Sequence, residues 1–303
     1  MRKFLGTVFI VILVAFFAGC IVTVNSLMGQ LQIREAKISK PSILFLKLEG
    51  VILDGRDFLE DLEKYGEDEE IKGILVQINS PGGVVGPSQE IYSELKRFRE
   101  EYKKPVVVSC LGLAASGAYY AAIAANKIVT NPGALLGSIG VIMEFANLEK
   151  LYDWAKIRRY TIQTGAYKDS GSEYRAMRED ERALFQQMAY EVLGQFKKAV
   201  VDSRKLPITT VDKYSDGRVF TGATAVGLGF ADVVGTLEDA TRLVGQLAGL
   251  GPDPEVFTPP PPRSEIFDEF FSRTQSRAES YLQALAGVKL LGQPLFLMPG
   301  VHL

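Results

Sequence analysis

With one histidine in 303 residues, this chain has few ways to do acid–base chemistry. That histidine, His302, stands one residue from the C-terminus, where chains fray and position side chains poorly. The count removes most Ser-His-Asp, Cys-His and histidine-rich zinc arrangements. An economical route to acyl transfer that remains is a hydroxyl activated by an uncharged amine, which narrows the search to serine plus lysine. Ser116 sits in Leu113-Ala114-Ala115-Ser116-Gly117-Ala118-Tyr119-Tyr120, after the strand-like Pro-Val-Val-Val-Ser-Cys and at the start of a small-residue helix. A strand-to-helix turn there brings a hydroxyl close to a positive helix terminus. A plain helix N-cap uses a serine in the same way.

Three further segments carry polar groups in suitable settings. Ser80-Pro81-Gly82-Gly83 closes the strand-like Gly-Ile-Leu-Val-Gln-Ile-Asn-Ser, and its glycines let the Gly83 N–H turn toward a developing oxyanion. The same residues also make an ordinary turn. Ser138, between Gly137 and Ile139-Gly140, can orient an amine or bond locally to its own backbone. Lys168 lies in Gly165-Ala166-Tyr167-Lys168-Asp169 after the strand-like Tyr-Thr-Ile-Gln-Thr; such a lysine is drawn into a site or simply faces water.

The elements that must position these residues alternate from Pro41 onward. Short β-branched runs (Ser-Ile-Leu-Phe-Leu-Lys-Leu-Glu-Gly, Gly-Ile-Leu-Val-Gln-Ile-Asn-Ser, Pro-Val-Val-Val-Ser-Cys, Lys-Ile-Val-Thr) are separated by helical stretches near residues 86–102 and 114–126. That order predicts a layered α/β fold with mostly parallel pairing. A polar helix is expected over 172–205, then a glycine-punctuated return to the core.

Ahead of this lies an uncharged stretch from Phe4 to Val24, preceded by Arg2 and Lys3. Its length matches the roughly 30 Å hydrocarbon core of a bilayer, so the expectation is an N-terminal transmembrane helix with the rest of the chain outside the cytoplasm. A cleaved signal peptide and a lipidated Cys20 compete with it. Expected boundaries are an anchor at 1–28, a linker at 29–41, a catalytic domain at 42–245, a Pro-rich linker at 246–263 and a C-terminal helical tail at 264–303. In that tail Ile266, Phe267, Phe270 and Phe271 recur at helical spacing.

Net charge is −2, with both signs interspersed, which argues against nucleic acid as a partner. Cys20 and Cys110 are too far apart in setting to pair, so no disulfide scaffold is expected.

Taken together and in this order, the SPGG, ASGAYY, GSIGV and GAYKD elements resemble the signal peptide peptidase A family of bacterial membrane proteases, over about Ser42 to Val244. The resemblance implies Ser116 as nucleophile, Lys168 as general base, Ser138 as the residue that contacts the lysine, and Gly83 as oxyanion donor. Where relatives often carry a second glycine after Ala-Ser-Gly, this chain has Ala118. It also implies a Clp/crotonase-type spiral of β-β-α units, no cofactor and no metal, peptide substrates such as signal-peptide remnants, and a location at the bacterial cytoplasmic membrane with the site on its outer side. A homo-oligomer with sites shared between subunits is expected on the same ground. Rival readings are acyl-CoA hydratase or isomerase chemistry on the same fold and a catalytically dead membrane scaffold.

Overall fold

The computed structural model describes residues 38–260 and 294–298. The apolar stretch 4–24, Cys20, His302 and the aromatic positions 266–271 fall outside the described residues. Among those described, no helix is long and apolar enough to cross a membrane.

The apolar runs form the middle of one sheet. Strands β1 (Ser42–Glu49), β2 (Ile71–Ser80) and β4 (Val106–Ala115) lie side by side and parallel. They read as continuous apolar runs because both faces of a parallel sheet are covered. Ile43, Leu75, Val107 and Val129 point to one face, under helix α8 (Leu237–Leu247) with its Ala240 and Val244. Leu44, Ile74, Val76 and Val108 point to the other, against α1 (Arg56–Gly66), α2 (Val85–Glu100) and α3 (Gly117–Ala122). Each large side chain so buried contributes on the order of 1.5–3 kcal/mol, which makes this sandwich the rigid base of the molecule.

β4 changes neighbours along its length. Its first half pairs with β5 (Lys127–Thr130), and its second half, from Leu113 to Ala115, with β6 (Leu135–Gly137). β6 in turn pairs antiparallel with β7 (Val219–Thr221), and β5 with β8 (Val233–Val234). The outcome is an eight-stranded, mostly parallel sheet of the expected α/β class. β9 (Glu255–Phe257) adds to the free edge of β1, so part of the segment read as a Pro-rich linker is a sheet strand. β3 (Gly82–Val84) stands outside the sheet and pairs antiparallel with β10 (Leu295–Leu297), from the segment read as a helical tail.

Two other expectations differ from the structure. Tyr-Thr-Ile-Gln-Thr forms no strand: Tyr160 and Ile162 are 87 % and 102 % exposed. Alternating aromatic and β-branched residues form a strand only when an edge is offered to them, and none is paired here. The polar helix starts at Glu179 rather than near 172. Residues 172–178 are instead turn and irregular chain tied to the preceding segment, with Glu173 accepting from Leu148 N–H and from Arg159 (both 2.5 Å).

Candidate active site

Three strand ends meet on one edge of the sheet. In open α/β sheets functional groups gather at the carboxyl ends of strands, and β2, β4 and β6 all end here. Their parallel register pairs Ser80 with Ala114, and Ala115 with Gly137. Ser116 and Ser138 are therefore each the next residue beyond one paired position. Ser116 N–H donates to Gly137 O at 2.7 Å, which ties the two turns together.

Ser116 adopts φ 53°, ψ −117°, a region that costs a non-glycine residue about 1–3 kcal/mol. The side chain is fully buried, and its Oγ has no hydrogen-bond partner among the described residues. It does not cap α3, the helix that follows, so the plain N-cap role is not the one this hydroxyl plays. A strained backbone and an unpaired buried hydroxyl each carry a cost, and together they mark a group held ready for another atom. Ser138 also has a positive φ, 51°, and is 2 % exposed, its N–H donating to Arg218 O.

The Gly82-Gly83 pair is squeezed on both sides. A Cβ on Gly83 would collide with the Ile52 carbonyl, whose oxygen accepts from Val84 N–H (2.8 Å), while Ile52 N–H donates to Gly82 O (2.9 Å). At Gly82, with φ 97°, a Cβ would lie 2.7 Å from Gly117 N and 2.9 Å from Ala115 O. Gly83 N is 3.2 Å from the point a Cβ on Gly117 would take. The backbone nitrogens of Gly83 and Gly117 thus lie close together beside Ser116, the kind of donor pair that stabilisation of a tetrahedral oxyanion requires. As a candidate donor Gly117 is not marked in the sequence, because a backbone N–H has no residue type of its own; its place directly after the serine is the available signal.

The residues on either side of Ser116 are buried in the apolar core. Burial pushes the Tyr119 and Tyr120 phenols and the Cys110 thiol upward, the thiol to about 12. Tyr119 donates to the Phe230 carbonyl at 2.8 Å, and Tyr120 packs against Tyr92 and Phe196. Low polarity strengthens whatever electrostatic aid the two N–H groups provide.

Lys168 is in a different setting. It is exposed, in a turn where its N–H donates to Gly165 O at 3.1 Å. Within the single chain no hydrogen bond joins it to Ser116. Charged side chains hold the turn: Arg175 donates to the Asp169 carboxylate and carbonyl (both 3.0 Å) and to both oxygens of Glu181 (2.5 and 2.9 Å). Glu181 is fully buried and caps helix α5 (Glu179–Arg204) by accepting from Arg178 N–H. Arg178 also reaches Ala166 O at 2.9 Å. Hydrogen bonds from Arg175 hold both the Asp169 and the Glu181 carboxyls below the usual carboxylate range, against the burial that raises them. A groove of about 630 Å³ opens beside this network, lined in part by Val141, Phe145, Arg175 and Phe185.

The sequence pattern of peptidase family S49 matches residues 98–251, about half of the chain, and that of Clp protease matches residues 55–132. The chain belongs to peptidase family S49. The match spans Ser116, Ser138 and Lys168, and the Clp protease match spans Gly83 and Ser116. Among similar proteins, one from Synechocystis, provisionally named a protease, is 38 % identical over 71 % of this chain and 77 % of its own length. The chloroplast serine protease SPPA of Arabidopsis thaliana is 34 % identical over 68 % of this chain. A protein of Enterococcus faecium, provisionally named signal peptide peptidase SppA, is 31 % identical over 68 %. The S49 chain spans 30 % of the Arabidopsis protein and 63 % of the Enterococcus one. With the family and an unpaired serine at a convergence of N–H donors, the S49 chain is a serine protease, and the hydratase and scaffold readings fall away.

Proposed function

We propose that this S49 protease cleaves apolar peptides, such as signal-peptide remnants, with Ser116 as nucleophile and Lys168 as general base. The observation that carries the reading is the fully buried, strained and unpartnered Ser116 hydroxyl beside the Gly83 and Gly117 N–H groups. Oγ attacks the scissile carbonyl as its proton passes to the uncharged lysine amine, and the oxyanion is held by the two backbone N–H groups. The lysine then protonates the leaving amine, and water, activated the same way, releases the acyl group from Ser116. Ser138, in register beside Ser116, orients the amine.

In this reading Lys168 reaches Ser116 of a neighbouring copy in a ring-like homo-oligomer. Exposure of Lys168 supports it, as does the run of exposed apolar residues before the lysine: Trp154, Tyr160 and Ile162 are 80 %, 87 % and 102 % exposed. Large exposed apolar groups of this kind mark association surfaces. The stretch 4–24 acts as a single-pass anchor, and Arg2 and Lys3 hold its start in the cytoplasm, so the site faces the outer side of the membrane.

Ser116→Ala and Lys168→Ala should each reduce hydrolysis of an apolar reporter peptide by about 10³-fold or more, and the double variant should be little worse than either, since the two act as one unit. Co-refolding the two inactive single variants should restore turnover, because a mixed ring pairs an intact Ser116 with an intact Lys168. Full activity in Lys168→Ala would move the base elsewhere. Confirmed mixed rings without turnover would return both residues to one chain.

A further inference from the structure

The strand beside the oxyanion turn comes from the chain's own C-terminal segment. Leu295 lies opposite Val84, Phe296 opposite Gly83 and Leu297 opposite Gly82. Met298 N–H donates to Pro81 O at 3.0 Å. Hydrogen-bonded pairs recur at every second position of an antiparallel ladder, so Phe296–Gly83 is again such a pair, and the Gly83 N–H faces the Phe296 carbonyl. That oxygen lies so close to Gly82 that a Cβ there would collide with it, and the Gly117 nitrogen and Ala115 oxygen surround the same point at 2.7 and 2.9 Å. The Phe296 carbonyl therefore occupies the place where the oxyanion of a substrate forms, next to both neighbours of Ser116.

The side chain is accommodated as well. Phe296 is fully buried, stacked on Tyr120 at 5.3 Å and 17° and tilted against Phe196 at 4.8 Å. Its Cβ lies 3.2 Å from the point a Cβ on Gly117 would take. An extended segment that adds to a free strand edge and drops one side chain into a pocket is how strand-binding sites hold peptides.

We propose that residues 294–298 are an internal ligand of the peptide groove, held in the pose of a substrate strand, so that a substrate must displace them to reach Ser116. The incoming peptide then places an aromatic or large apolar residue where Phe296 sits. This rests on the reading of Ser116 as nucleophile with Gly83 as oxyanion donor. A tethered occupant competes at high effective concentration, and the apparent affinity for a free peptide falls by the fraction of chains with the groove open.

The test measures binding in full chains carrying Ser116→Ala, so that nothing is cleaved. The probe is acetyl-Pro-Leu-Phe-Leu-Met-amide with a fluorophore, followed by anisotropy. Adding Phe296→Ala should tighten its binding about tenfold, the order expected when a buried aromatic anchor is removed from the competitor. Phe296 also belongs to the core, so a second measurement leaves the segment intact: in the Ser116→Ala chain, saturating peptide should speed hydrogen exchange at the amides of Phe296 and Met298, the two that face β3 in the ladder. Equal affinity with and without Phe296→Ala in a folded chain, unchanged exchange under saturating peptide, or no binding to either form overturns the proposal. The catalytic reading fails separately, through hydrolysis that survives Ser116→Ala.

Discussion

The turn at Ser116 is built from backbone and apolar contact, whereas the turn at 165–170 is built from charge. Around Ser116 three parallel strands end in register, glycines allow main chains to touch, and buried aromatic rings form the floor. Around Lys168 the backbone is exposed, and Arg175, Arg178, Asp169 and Glu181 hold it. The first region tolerates almost no added volume and cares little for pH; the second tolerates volume and depends on ionisation. A nucleophile must be placed against its oxyanion donors within a fraction of an ångström. A base that completes a site between subunits must arrive from outside, which suits an exposed loop with a charged brace.

The difference is largest at the glycines. Gly83→Ala drives a methyl into the Ile52 carbonyl, and relief requires breaking the Ile52–Gly82 and Val84–Ile52 hydrogen bonds. A loss of about 3 kcal/mol in unfolding free energy is expected, the upper end for overpacking, with peptidase activity down about 10²-fold or more as the donor moves. At Gly165 the closest atom to an added Cβ is Lys168 Cγ at 4.0 Å, so Gly165→Ala should stay within about 0.5 kcal/mol of the parent. Urea unfolding of both variants checks the contrast; similar losses at the two sites would erase it.

Legibility in the sequence follows the same division. β1, β2 and β4 were readable because a strand buried on both faces is apolar throughout, and Ser116, Ser138 and Gly83 were readable because they punctuate the ends of such strands. The Tyr160-to-Thr164 stretch was misread because its alternation matches a strand while no edge receives it. β9 and β10 are three-residue strands amid prolines, too short for periodicity, and they form only because β1 and β3 offer free edges. The pocket of Tyr120, Phe196 and Phe296 unites positions far apart in the chain, which no local pattern announces. The Arg175 brace likewise depends on where side chains reach, not on spacing.

A middle-sized effect tests the charged brace. Arg175→Ala leaves Glu181 fully buried with Arg178 as its remaining cation and leaves Asp169 with the longer Arg178 contact at 3.8 Å. About 2 kcal/mol of stability should go, below the range for a fully orphaned buried charge because Arg178 stays. Trypsin cleavage after Lys168 should accelerate, while Arg175→Lys, which loses the two-pronged geometry, falls between. Acid acts on the same brace. Asp169 and Glu181 have carboxyls lowered in the folded state, so their contribution is complete above the ordinary carboxylate range, about pH 4, and is lost as pH falls below it. Hydrogen exchange at residues 165–170 should rise there before exchange in β4 does. Simultaneous rise in both regions would mean that the turn has no separate brace.

The smallest effect concerns Ser116 itself. Its φ of 53° and ψ of −117° cost any residue with a Cβ, so Ser116→Ala removes the hydroxyl and keeps the strain. Ser116→Gly removes both, since glycine takes positive φ freely. Against a relief of about 1–3 kcal/mol stands the extra freedom of a glycine in the unfolded chain, about 0.4–1 kcal/mol. The glycine variant should therefore be the more stable of the two inactive proteins by about 1 kcal/mol. Comparing them with each other, and not with the parent, cancels the unpaired hydroxyl, which both have lost. If the alanine variant proves equal or better, the turn holds Ser116 without strain, and the readiness of this serine comes from its unpaired hydroxyl alone.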